Sequence, residues 1–223
     1  MLGQKNWLVI MVSSNSLQLV GLGEEKIETL IIPPQIISNM EVINKDGLYT
    51  LITDWLKLRP HTSAEIIWLL APDICFEHTI KSNEQDKIDS ETLLFLDTVP
   101  FEEVLSKLYK PLEWRLIVAV NKDLILSLIQ GFTLHGYVTK VVVPSRLVQG
   151  ESTLSSEIER NAIKHASELT KESLISSPSP VENLVAQEAQ STNKQSKEKS
   201  SLPVLLGVFG VLLTILLAVL FLR

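Results

Sequence analysis

A single cysteine, Cys75, stands in the 223 residues. An internal disulfide framework is therefore excluded, and a reducing compartment fits. Nine glycines and ten prolines without a three-residue period exclude collagen-like and low-complexity architectures. Histidine is scarce as well: His61, His78, His135 and His165 lie far apart. None has a Cys or carboxylate at metal-ligand spacing, so surface or helix-end roles are expected for all four. Basic charge is in deficit, with 20 Lys and Arg against 26 Asp and Glu. The resulting net charge of -6 argues against nucleic acid as a partner. No secretory signal is expected, because the early apolar run over 7–12 is short and lacks a cleavage site.

What is present is unevenly spread. The mean hydropathy is +0.22 although 21% of the residues are charged. Residues 202–222, which open on Leu202 and close on Leu222, supply roughly +60 hydropathy units, more than the chain's total of about +49. That run carries no charge, and Thr214 is its one hydroxyl. As a helix it would be about 31 Å long, the thickness of a bilayer's hydrocarbon core, so a transmembrane helix is expected there. Lys194, Lys197 and Lys199 precede it and Arg223 alone comes after. This asymmetry predicts a single-pass membrane protein with its N-terminal portion in the cytoplasm.

The stretch 175–201 is rich in Ser, Gln, Lys and Glu and has no aromatics, which predicts a disordered linker. Before it, Leu154, Ile158, Ala162, Ala166 and Leu169 recur at helical spacing. With Ser156 and Glu159 as a capping box, they predict an amphipathic helix within 151–174, spanning 155–173. It is expected to pack on the domain's flank, with partner binding as the alternative.

Residues 1–150 read as an α/β domain. Runs over 6–13, 17–22 and 26–32, separated by turn-prone Ser14-Asn15-Ser16 and Gly23-Glu24-Glu25, predict a three-strand meander ended by Pro33-Pro34. A helix is expected over 45–58, stopped at Arg59-Pro60. The almost wholly apolar 64–71 predicts a strand buried on both faces. Pro72-Asp73 should turn the chain into a strand over 74–80. A polar loop over 81–90 and a turn or two of helix over 91–96 come next. The segment 101–109 suits helix or strand by period. Strands over 114–120 and 137–143 flank a helix over 122–135, with Gly136 as its terminating glycine.

Chemistry is sparse in these elements. Cys75 has no base beside it and reads as a structural thiol. Gly21-Leu22-Gly23 precedes a strand, which favours a hairpin turn over a phosphate loop. Asp73, Glu77, Glu102 and Glu103 could act as acid/base carboxylates only within a cleft and beside a partner. No catalytic residue, metal ligand or cofactor is expected.

Four segments, in order, carry a resemblance. VIMVSSNSLQLVGL (9–22) resembles the opening hairpin of the PilM and GspL kind of actin-fold protein, from type IV pilus and type II secretion assembly platforms. EIIWLLAPDICFEHTI (65–80) is similar to the start of that family's inserted small subdomain. TVPFEEVLSKLY (98–109) resembles a further family segment and favours a strand over 103–109. RLIVAVNKDLILSLIQGFTLHGYVTKVVVPSRLV (115–148) resembles the strand, helix and strand that return to the main sheet. The resemblance covers 6–148 and implies half of an actin-like (ribonuclease H-like) fold with an inserted α/β subdomain.

It also implies where function has changed. The family's first-strand Asp, which organises metal and attacking water, corresponds here to Met11 or Val12. Neither supplies a hard oxygen ligand. The turn Ser13, Ser14, Asn15 and Ser16 is then a vestige of a phosphate loop, and the family's second lobe has no counterpart in residues 149–223. The expectation is a membrane-tethered, non-catalytic scaffold with a PilN-like inner-membrane protein or a secretion or pilus ATPase as partner. Homodimerisation remains open. The alternatives are an ATPase that completes its site by dimerising and an unrelated tail-anchored adaptor.

Overall fold

Strand β1 (Trp7–Ser13) is apolar at almost every position, and its five central residues are buried. The sequence therefore places it inside a sheet and not at an edge. In the computed structural model, which describes residues 6–21, 26–57, 64–82, 84–110, 115–148 and 153–176, β1 is the middle strand of five. β2 (Ser16–Gly21) returns antiparallel through the two-residue connection Ser14-Asn15, and β3 (Glu28–Ile31) completes the meander. On its other side β1 pairs in parallel with β6 (Glu65–Leu70), which pairs in parallel with β10 (Val138–Pro144). β6 is the near-continuous apolar run that burial on both faces requires.

Strand parity divides the core. Leu8, Ile10, Val12, Ile66, Trp68 and Leu70 face helices α1 (Lys45–Leu56) and α3 (Lys122–Thr133). Val9, Met11, Ile67, Leu69, Val141 and Val143 face α4 (Ser156–Lys164) and α5 (Ala166–Lys171). The result is a helix–sheet–helix sandwich of mixed α/β class. Phe132 of α3 meets the Trp68 ring edge-on at 5.1 Å, and Trp68 Nε1 donates to Thr139 Oγ1 at 2.9 Å. Gly131 lets α3 approach α1 closely, since a Cβ there would lie 2.6 Å from Ile52 Cδ1. Gly136 ends this segment at φ +83, as a helix-terminating glycine should.

A second, three-stranded antiparallel sheet is inserted between β6 and α3. Its order is β7 (Phe76–Ile80), β9 (Arg115–Asn121), β8 (Val104–Tyr109). The segment that suits helix or strand by period is thus strand from Val104, its apolar residues drawn into a ladder with β9. Helix α2 (Gln85–Leu96) covers this sheet through a small cluster of Ile80, Ile88 and Ile117. Between β3 and α1, β4 (Ile37–Ser38) and β5 (Glu41–Val42) form a minimal hairpin. Its two turn residues, Asn39 and Met40, both lie at positive φ (51 and 63), as a type I′ turn demands.

Three expectations are corrected. α2 runs three turns from Gln85, because Ile88 alone anchors its polar first half to the sheet. The single helix over 155–173 is two, broken at His165 (φ -101, ψ 14). Its cap is Ser155, whose Oγ accepts from Ile158 N at 3.2 Å, one residue before the expected box. Glu159 is instead buried, at 3% exposure.

After α5 the chain crosses the free edge of β10. Leu174 N donates to Val142 O at 2.8 Å, and Val142 N donates to Ser173 Oγ at 2.9 Å. Lys107 of β8 clasps this crossing, its Nζ donating to Lys171 O at 2.7 Å. The described residues belong to a unit spanning Met1–Pro180. The transmembrane span expected over 202–222, Lys194, Lys197, Lys199 and all of the linker from 177 on lie outside the described residues. Among the described residues no helix is long and apolar enough to cross a membrane.

Candidate functional site

Parallel pairing of β1, β6 and β10 brings their carboxyl ends to one rim, where ligands of open α/β sheets usually sit. Three turns meet the solvent there: Ser14-Asn15 after β1, Pro72–Ile74 after β6 and Ser145–Leu147 after β10. The first closes on itself. Ser13 Oγ lies 2.7 Å from Ser16 Oγ and 3.2 Å from Ser16 O. The Ser14 N–H donates to Asp73 Oδ2 at 2.9 Å. A phosphate loop works by offering free main-chain N–H groups to an anion. Here that amide is already taken, by a carboxylate that would repel phosphate. Met11 and Val12, at the end of β1, are packed at 1% exposure on opposite faces of the sheet.

The other carboxylates flagged from the sequence also have structural partners, apart from Glu102. Glu77 Oε2 accepts from Arg146 Nη1 at 2.6 Å, joining β7 to the turn after β10. Glu103 pairs with Lys122 at 2.8 Å. Desolvation pushes the Cys75 thiol pKa far up, and the nearby Glu77 and Asp73 add to the shift. A thiol held neutral in this way is a poor nucleophile.

The histidines have local roles. His78 stacks on Phe95 and lies 3.6 Å from Glu91. His135 Nε2 is 2.9 Å from Thr53 Oγ1, bridging α3's end to α1. His165 Nδ1 is 3.1 Å from Glu168. His61 lies outside the described residues. Among the described residues no group of three or more His, Cys, Asp or Glu is placed to hold a metal ion.

An open concavity lies elsewhere among the described residues. A cleft of about 460 Å³ runs between the β4–β5 hairpin, the turn leading into β8 and the first turn of α3. Val42, Pro100 and Leu126 supply its apolar surface, and Leu126 is 43% exposed. Asn121, which ends β9, caps α3 by accepting from Leu124 N at 3.2 Å and so fixes the cleft's helical wall. Lys45 reaches Asp123 at 2.6 Å, and that hydrogen bond raises the ammonium's pKa. Of the flagged residues, the cleft gathers Glu102 and Glu103. Glu41, Val42, Pro100, Asn121, Lys122, Asp123 and Leu126 were not singled out as site residues by the sequence. A smaller cavity of about 280 Å³ lies under the break between α4 and α5, beside Leu147 and His165.

No protein-family model matches the sequence, nor does any curated protein. Solved structures to which the chain is similar include a PilM–PilN type IV pilus biogenesis complex, at 15% identity and a TM-score of 0.46 over 63% of this chain. Another is a Bacteroides thetaiotaomicron protein of actin-like ATPase fold and unknown function, at 12% identity and 0.38 over 64%. A further one is the cytoplasmic domain of EpsL, an inner-membrane component of the Vibrio cholerae type II secretion system, at 13% identity and 0.43 over 65%. The chain spans 59% of the EpsL structure, 48% of the PilM–PilN match and 52% of the Bacteroides protein. The PilM and GspL kind of protein that the sequence resembles is thus also represented among the solved structures this chain is similar to.

Proposed function

We propose that this chain is a non-catalytic docking module of a type IV pilus or type II secretion assembly platform. In this reading it is built on half of an actin-like fold with an inserted small sheet. The observation that carries it is the Ser14–Asp73 hydrogen bond, which closes the β1–β2 turn where a nucleotide phosphate would have to sit. The buried Met11 and Val12 support it, because neither brings an oxygen to a metal. What the protein offers a partner is the cleft beside Val42, Pro100 and Leu126.

The partner we assign to that cleft is a short tail of a PilN-like inner-membrane protein, by analogy with the PilM–PilN pairing. A secretion or pilus ATPase is a further partner at the same platform. Residues 202–222 would hold the module at the inner membrane with its N-terminal portion in the cytoplasm. Tethering in this way raises its effective concentration at the platform. The test is calorimetric titration of the full chain, in a neutral detergent, with tail peptides of PilN-like proteins from the same genome. Saturable binding that Leu126→Glu abolishes is expected. The absence of binding by every tail would contradict the docking role.

A further inference from the structure

Most charges lining the cleft are matched within the chain: Lys122 with Glu103 at 2.8 Å, and Asp123 with Lys45 at 2.6 Å. Two carboxylates are left over. Glu41, on β5, and Glu102, in the turn before β8, are both exposed, and neither has an ion pair among the described residues. They come from segments about sixty residues apart in sequence yet line the same concavity, with Val42, Pro100 and Leu126. Ile43, next to this surface in sequence, is 60% exposed. Unmatched negative charge around an exposed apolar surface complements a cation carried beside apolar groups, and it disfavours an anion.

We propose, resting on the docking reading of this cleft, that it selects a peptide segment in which a Lys or Arg adjoins apolar side chains. The cation sits near Glu41 and Glu102, and the apolar groups lie on Val42, Pro100 and Leu126. Because both carboxylates are exposed, the selectivity is screened by salt.

Three labelled ten-residue probes separate the possibilities: leucine-containing peptides carrying two arginines, two glutamates or two serines. Each is titrated by fluorescence anisotropy into the full chain in neutral detergent. At low salt the arginine probe should bind about tenfold more tightly than the glutamate probe, and the gap should shrink at high salt. The double variant Glu41→Gln/Glu102→Gln should close the gap, and Glu41→Lys/Glu102→Lys should reverse it. Circular dichroism of both variants checks that the fold is kept. Equal binding of all three probes, or a preference unchanged in the variants, would overturn the charge selectivity and leave docking intact. Binding by none of them, or a cleft closed by self-association in sedimentation, would overturn the docking reading itself.

Discussion

The main-chain N–H of Ser14 donates to the side chain of Asp73, 59 residues along the chain, at 2.9 Å. This bond ties the β1–β2 turn to the turn after β6 and occupies the amide that a phosphate would use. Asp73→Ala should therefore have two effects. It should cost about 1 kcal/mol of stability, because a single exposed hydrogen bond to a charged acceptor is lost. It should also leave nucleotide hydrolysis at background, because freeing an amide does not supply a metal-ligating oxygen at Met11 or Val12. Urea unfolding and a phosphate-release assay measure the two.

The helix cap after the main sheet can be located by a pair of substitutions. Ser155→Ala removes the Oγ that accepts from Ile158 N and should cost about 1 kcal/mol. Ser156→Ala leaves that bond in place and should be nearly neutral. Equal losses at the two positions would restore the cap to Ser156.

Cys75 should resist alkylation in the native protein at pH 8 and react readily after unfolding, since its thiol pKa is pushed up by desolvation. The linkage has a definite sign. The unfolded thiol ionises near its ordinary value of 9.0, whereas the native thiol stays protonated. Stability therefore falls as the pH rises past about 9. Cys75→Ala should reduce this alkaline slope, as read from chemical denaturation across pH 8 to 10, and leave the part that begins nearer pH 10, where the buried Tyr109 phenol would ionise on unfolding.

Lys107 holds the chain's crossing over the β10 edge through Lys171 O. Lys107→Met should speed hydrogen exchange at Leu174 and its neighbours by about tenfold while the β1 and β6 amides keep their protection. Exchange monitored by mass spectrometry distinguishes this local opening from a global loss of stability.

Much of this fold is legible in the sequence because its central elements carry strong periods. β6 is apolar from Ile66 to Leu70, α3 shows Leu124, Ile125, Leu128 and Phe132 on its face, and Gly136 marks its end. α2 is longer than its sequence suggests because Ile88 and Thr92 are its only buried residues, too few to show a helical stripe. The β4–β5 hairpin is hidden because Asn39-Met40 is an atypical pair for two successive positive φ angles. The closed turn at Ser13–Ser16 is readable as a departure from a phosphate loop, but its Asp73 partner comes from packing β6 beside β1. The cleft is not readable. Residues 41–42, 100–103 and 121–126 meet only in the tertiary structure.

The proposal that this protein docks partners and does not turn over nucleotide meets its most direct test in calorimetry. The full chain is titrated with ATP and magnesium, and a phosphate-release assay is then run on the same sample. A docking module should give no saturable heat and no phosphate release above buffer. Saturable micromolar binding with magnesium-dependent turnover would contradict it.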